Sequence, residues 1–211
     1  MFTNRVQAGQ HLALAAEELA LPDPVILALP RGGVPIAAEV ATRLSAPLDV
    51  LLVRKVGLPT RPEFAIGAVG EGGVVIAHRH DLVAAGITPQ EFQRLAAAES
   101  EQVRARALLY RPHREMTSIT GRDAVIVDDG LATGATAEAA IAVARAHKPR
   151  SITLAIPVAP AEALPRLGSQ VDHLICLLAP EFFGAVGAFY SDFGQVSDGE
   201  VLNILHSQNL D

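Results

Sequence analysis

The sequence predicts an α/β fold: a parallel sheet of about five strands flanked by helices, with a helical insertion and a distinct C-terminal tail. Three observations lead there. Short apolar runs alternate with helical patterns along most of the chain, which is how βαβ units read in a sequence. Hydrophobic residues make up 50% of the 211, yet aromatics are only 4% and Trp is absent, so the core is aliphatic and suits strands covered on both faces. The residues richest in chemistry fall just after apolar runs, where the carboxyl ends of parallel strands bind ligands. The length implies one domain over 1–211, with the helical insertion at 78–120 and the tail at 179–211.

The elements follow in order. Residues 4–20 read as an amphipathic helix with Val6, Leu12, Leu14 and Leu19 near one side and Thr3 or Asn4 as its cap. Val25 to Leu29 is a short strand closed by Pro30. Arg31-Gly32-Gly33 is a turn, and Val34 to Leu44 is a helix that tolerates Pro35 in its first turn. Leu48 to Val53 is a second buried strand, and Gly57 to Arg61 a loop. Ala65–Val69 and Val74–Ala77 flank Gly70-Glu71-Gly72-Gly73 as a hairpin. Thr88-Pro89-Gln90-Glu91 opens a long helix reaching Tyr110: Thr88 caps it, Pro89 takes the first helical position, and Glu91 completes a capping box. Strands at 124–127, 151–158 and 173–178 alternate with helices at 136–147 and 161–167.

Net charge is −6, against a general nucleic-acid partner, whose phosphates demand clustered Lys and Arg. The lone Cys176, in an apolar run, reads as a buried inert thiol. No apolar stretch approaches membrane-span length, and Glu17 and Glu18 spoil a signal-peptide reading of the N-terminus. A cytoplasmic protein without membrane or nucleic-acid partners is expected. His78 and His80 read as surface residues.

The most telling stretch is Val125-Ile126-Val127-Asp128-Asp129-Gly130-Leu131-Ala132-Thr133-Gly134-Ala135-Thr136. A buried strand ends in two carboxylates, a loop of Gly, Ala and Thr follows, and a helix begins, with Thr136 or its neighbour as cap. Free N–H groups at a helix start, together with hydroxyls, suit a phosphate. The carboxylates repel that phosphate but accept from a pair of hydroxyls on the same ligand. A phosphate near a vicinal diol is a ribose 5-phosphate. The spacing fits neither the dinucleotide-binding glycine fingerprint nor a P-loop. It also lacks the Asp-x-Asp of a phosphatase nucleophile, since residue 130 is Gly.

An apolar strand, Asp-Asp and a Thr-Gly-x-Thr loop resemble the diagnostic motif of the type I phosphoribosyltransferase family. The resemblance implies that family's fold, with a small hood over the sheet. It further implies that Asp128 and Asp129 accept from the ribose hydroxyls of phosphoribosyl pyrophosphate. Gly130, Leu131, Ala132, Thr133, Gly134, Ala135 and Thr136 would hold its 5-phosphate.

Leu29-Pro30-Arg31-Gly32-Gly33 falls where the family binds pyrophosphate through backbone, so Arg31 and Gly32 are candidates; some members carry a cis peptide in this loop. Val53-Arg54-Lys55-Val56-Gly57, with Pro59, Arg61 and Glu63, reads as an anion clamp with a mobile lid. Arg54 and Lys55 would assist the leaving pyrophosphate and act as catalytic residues beside Asp128 and Asp129. Mg²⁺ is the implied cofactor, bridging substrate oxygens without a direct protein ligand set.

The helical face with Arg104, Arg106, Tyr110, Arg111, His113 and Arg114 reads as solvated, partly paired with Glu99 and Glu101. Its Tyr-Arg ending, and the tail from Phe182-Phe183-Gly184 to Ser197-Asp198, resemble a branch of uncharacterised phosphoribosyltransferase-like proteins. Phe182 and Phe183 could stack on an acceptor. The expectation is an enzyme that transfers the phosphoribosyl group to a nitrogenous base and releases pyrophosphate. The alternatives are a sensor that binds without turnover, or a hydrolase or phosphorylase of a ribose phosphate compound. Family members are often homodimers.

Overall fold

The structure is a computed structural model describing residues 1–112 and 114–208, with the backbone but not the side chain of Glu63. His113 and the Glu63 side chain, both singled out above, therefore lie outside the described residues.

In chain order the elements are α1 (Arg5–Glu17), β1 (Pro24–Ala28), α2 (Gly33–Leu44), β2 (Leu48–Val50), β3 (Val53–Leu58), β4 (Arg61–Gly70), β5 (Val75–Ala77), α3 (Arg79–Ala84), α4 (Pro89–Tyr110), β6 (Asp123–Val127), α5 (Ala135–Ala146), β7 (Ser151–Val158), α6 (Leu164–Gly168), β8 (His173–Leu178) and α7 (Asp198–Gln208). Five strands form one parallel sheet in the order β2-β1-β6-β7-β8. The progression of strands across the sheet reverses between β1 and β6, and a crevice opens at such a switch point beyond the strand ends. The register lines up Ala28 with Val127, so the loops after β1 and β6 leave the sheet side by side.

Alternate strand residues feed two cores. Ile26, Ala28, Val125 and Val127 face α1 and α2. Val25, Leu27, Ala124 and Ile126 face α5. The second, antiparallel sheet, β3-β4-β5, packs against α4 and α5. The β4–β5 hairpin, the capping box at Thr88 and the strand at 151–158 match the sequence reading.

Four expectations need correction. Leu48 to Val53 is not one strand: β2 ends at Val50, and β3 begins the antiparallel sheet at Val53. Arg54 and Lys55 thus lie within a strand, and 57–61 is the tip of the β3–β4 hairpin rather than a free loop. Gly57 is required at this irregular register, because a Cβ there would approach Pro62 O to 2.4 Å.

Helix α1 buries only part of the expected face: Leu12 is inside. Val6 and Leu14 are 43% and 48% exposed, while Ala8, Leu12, Ala13 and Ala16 are inside. Small residues win because α1 lies tight on α2: a Cβ on Gly9 would come within 2.9 Å of Ile36 O. Asn4 does cap α1, accepting from Gln7 N at 2.9 Å. Finally, α5 is capped by left-handed Gly134 (φ 79°) and not by Thr136, which is a residue of the first turn. Among the described residues, no helix is long and apolar enough to cross a membrane.

Candidate active site

The loop after β6 carries the two carboxylates into the crevice. Its shape is set by backbone that only glycine adopts easily: Gly130 has φ 149° and Gly134 φ 79°. Leu131 is buried and donates its N–H to Val158 O at 2.9 Å, pinning the loop to β7. Arg166 of α6 braces the far side, donating to Thr133 O at 2.8 Å and pairing with Glu138. The first N–H groups of α5 have no intrahelical acceptor, and with the helix dipole they favour an anion beside 132–136.

The loop after β1 sits directly on the acid pair. Pro30-Arg31 is a cis peptide, and Gly33 N bonds back to Leu29 O at 3.1 Å. No side chain fits at the contact. A Cβ on Gly32 would lie 2.0 Å from Asp129 Oδ2, and one on Gly33 would lie 2.6 Å from Val127 O.

Asp129 is gripped by groups the sequence did not advertise. Arg5 donates through Nε at 2.9 Å and pairs through Nη2 at 2.8 Å with Asp129 Oδ2. Arg5 itself is held over the Phe193 ring, 3.9 Å from its centroid, and by Gly194 O. Tyr190 donates its hydroxyl to Asp129 O at 2.6 Å, and burial pushes that phenol's pKa up. Asp128 accepts from the Asp129 N–H at 2.9 Å. Burial, and then the neighbouring Asp129 charge, hold Asp128 well above the usual carboxylate range. Asp129 is raised too, by burial, with Arg5 opposing. Two adjacent carboxylates this costly to ionise suit a ligand that brings hydroxyl hydrogens or a cation.

Two clefts border the 130–136 loop. One, of about 500 Å³, is lined by Pro30, Arg54, Lys55, Glu99, Arg106 and Thr136. It brings the basic pair of β3 to the first turn of α5, as the sequence order suggested, although Arg54 is engaged by Glu99 of α4. Arg106, exposed as the solvated-face reading expects, also lines this cleft. Its position near the end of a polar helix gives no sequence signal.

The other cleft, of about 660 Å³, lies between Ala132-Thr133 and the tail residues Glu181, Phe182 and Phe183. Phe182 is 92% exposed, and Phe183 stacks on Phe189 with centroids 5.4 Å apart. Arg31 points elsewhere than expected of an anion ligand. Its guanidinium lies 3.9 Å from Asp198, whose carboxylate also accepts from Tyr110 at 2.5 Å. Burial and that carboxylate raise the Tyr110 phenol to about 12.

The phosphoribosyl transferase domain model matches residues 4–193. A Mycobacterium tuberculosis H37Rv protein named "Putative phosphoribosyl transferase Rv0571c" is 45% identical over 214 aligned positions, covering 100% of this chain and 48% of the relative. The chain thus spans about half the length of the curated relatives it matches. The crystal structure of TT1426 from Thermus thermophilus is 47% identical and superposes with a TM-score of 0.91 over 99% of both chains. A Neisseria gonorrhoeae protein crystallised with bound ppGpp reaches a TM-score of 0.50 at 9% identity over 96% of this chain and 92% of its own, a likeness of fold alone.

Proposed function

From a chain that belongs to the phosphoribosyl transferase domain family, we propose an enzyme that binds Mg²⁺-phosphoribosyl pyrophosphate and transfers the phosphoribosyl group to a nitrogenous base, releasing pyrophosphate. The observation that carries this reading is the pairing of Asp128-Asp129 with a glycine-shaped helix start, flanked by a basic cleft and an aromatic one. Ribose hydroxyls donate to the two carboxylates, and the 5-phosphate rests on residues 130–136 at the start of α5.

Pyrophosphate then lies toward Arg54, Lys55 and Arg106, with the loop at Arg31-Gly32 beside it. The acceptor enters from Phe182 and Phe183 on the opposite side of the loop. In-line displacement requires leaving group and nucleophile on opposite faces of the anomeric carbon, which two separate clefts bordering this loop would allow. Asp128 and Asp129, both costly to ionise alone, are the residues that would lie nearest a Mg²⁺ carried in with the substrate phosphates, and that ion would supply charge neutralisation for the leaving pyrophosphate. As positive charge develops on the ribose ring, the Asp128 and Asp129 carboxylates stabilise it. The remaining contribution is positioning, with Arg5 and Tyr190 fixing Asp129. A cytoplasmic location and a homodimer accord with this reading.

The test is a panel of purine and pyrimidine bases with pyrophosphate release as the readout. Release that depends on one class of base supports the transferase. Release without any base would turn the reading to hydrolysis, and tight donor binding with no release would turn it to a sensor. On the active base, Lys55→Ala and Arg106→Ala are each expected to lower kcat/KM by about 10- to 100-fold, the worth of one charge-assisted hydrogen bond. Wild-type kinetics in both variants would remove the basic cleft from the mechanism.

A further inference from the structure

The Arg31 side chain is tied to a carboxylate that comes from far along the chain. Its Nη1 lies 3.9 Å from Oδ2 of Asp198, in the first turn of α7. Oδ1 of the same carboxylate accepts from the Tyr110 hydroxyl at 2.5 Å. Tyr110 ends α4 and is 4% exposed, so the carboxylate is anchored to the core. The loop after β1, the insertion helix and the C-terminal helix thus meet at Asp198.

The backbone beside Arg31 has little room to shift, because Gly32 and Gly33 are packed against Asp129 and the Val127 carbonyl. Its side chain is 32% exposed, and among the described residues Asp198 is its one ion-pair partner. Motion here therefore belongs to the side chain and not to the loop.

Asp198 stands among cations. Arg106 and Tyr110 are four residues apart and share a face of α4. The positive charges of Arg106 and Arg31 both act on the Tyr110 phenol, against the rise that burial and Asp198 cause. These are two of the cations that face pyrophosphate in the proposed reaction. The start of α7 does not depend on Asp198 for its cap. Ser197 Oγ accepts from Glu200 N at 3.2 Å, and Glu200 accepts from Ser197 N at 2.8 Å, a complete capping box.

We propose that Asp198, held by Tyr110, is a positioning residue that parks Arg31 and yields it to the leaving pyrophosphate. The proposal rests on the transferase reading, which puts pyrophosphate beside the Arg31-Gly32 loop. Pyrophosphate carries several negative charges against the one on Asp198, and a half-exposed pair is weak enough to be exchanged. Arg31 then turns about its side-chain torsions while Gly32 and Gly33 stay in place. The free energy of the broken pair is subtracted from donor affinity.

Calorimetry with inorganic pyrophosphate and Mg²⁺ tests this as a double-mutant cycle. Asp198→Asn keeps an oxygen for Tyr110 and leaves the α7 capping box intact, so it removes the charge alone. It should bind pyrophosphate about two- to fivefold more tightly than native, the range for releasing a half-exposed ion pair. Arg31→Ala should weaken binding, and in that background Asp198→Asn should change nothing. An equal gain in both backgrounds would be a general charge effect and would overturn the proposal, as would no gain from Asp198→Asn alone. Absence of heat in all four chains is a separate outcome: it would remove the pyrophosphate reading itself, and the proposal with it.

Discussion

Asp128→Asn with Asp129→Asn is expected to weaken binding of phosphoribosyl pyrophosphate by more than about 100-fold, because two charge-assisted hydrogen bonds to ribose are lost together. Asp128→Asn alone should at the same time make the protein more stable near neutral pH. Burial and the adjacent Asp129 raise the Asp128 carboxyl above its ordinary 3.8, so ionising it costs more in the folded chain than in the unfolded one. The stability tied to this group is complete below 3.8 and is lost as pH rises through the raised folded-state value. The amide never ionises and escapes that loss. The expected gain is about 1 kcal/mol, or roughly 2–4 °C in Tm for a chain of this size.

Thermal unfolding from pH 4 to 8, native against variant, checks this: the two curves should converge at the acid end and part at the neutral end. A variant less stable than native at pH 7 would mean that Asp128 is held by more than the Asp129 N–H seen here. Calorimetry on the double variant reads the binding half independently. Unchanged donor affinity would remove the acid pair from the ribose site.

The acid pair and the glycine-shaped loop after it were legible in the sequence because they are local. Asp128, Asp129 and the glycines at 130 and 134 are contiguous, and one strand–loop–helix unit fixes their geometry. The parallel sheet was legible for a related reason, since buried strands such as 151–158 are unbroken apolar runs. What stayed hidden depends on distance. Arg5 reaches Asp129 across 124 positions, and Tyr190 reaches the same residue across 61. Neither Arg5 nor Tyr190 differs locally from a surface cation or a core aromatic.

The break between β2 and β3 was hidden because the apolar run from Leu48 to Val53 continues through it; only the change of partner, from β1 to β4, marks the boundary. Periodicity also failed on α1. It weighted Val6 and Leu14 by hydropathy, whereas close approach to α2 selects Ala and Gly.

The least legible feature is a polar one, and it carries the second large expected effect: Arg111→Ala should cost about 3–5 kcal/mol of folding stability. Asp49, fully buried in β2, accepts from Arg111 at 2.5 Å, Arg114 at 2.7 Å, Thr117 N at 2.8 Å and Thr117 Oγ1 at 3.0 Å. Arg111 also donates to Val50 O at 3.0 Å and pairs with Glu71. Removing Arg111 strips the buried Asp49 carboxylate of one cationic partner and leaves Glu71, 11% exposed, without its ion pair.

Burial alone would push the Asp49 carboxyl up, but Arg114, Arg111 and Thr117 outweigh it and hold the group below its ordinary 3.8. Its contribution is thus present above 3.8 and fades as pH falls through the depressed folded-state value. Asp49→Asn should therefore be much less stable than native at pH 7 and approach it in strong acid. Urea unfolding of both variants, at pH 7 and at low pH, measures this; losses below about 1 kcal/mol would show that Arg114 and Thr117 suffice.

The effect should also reach the basic cleft. This network fixes the C-terminal end of α4 to the edge of the parallel sheet, and α4 is the element that carries Arg106 and Glu99 to the basic cleft. Arg111→Ala should then lower kcat/KM below the level explained by its folded fraction, while Arg104→Ala, outside the network, should leave stability nearly unchanged. Stability and turnover falling together in the first variant, with stability spared in the second, would identify the buried Asp49–Arg111 pair as what positions the insertion helix for catalysis.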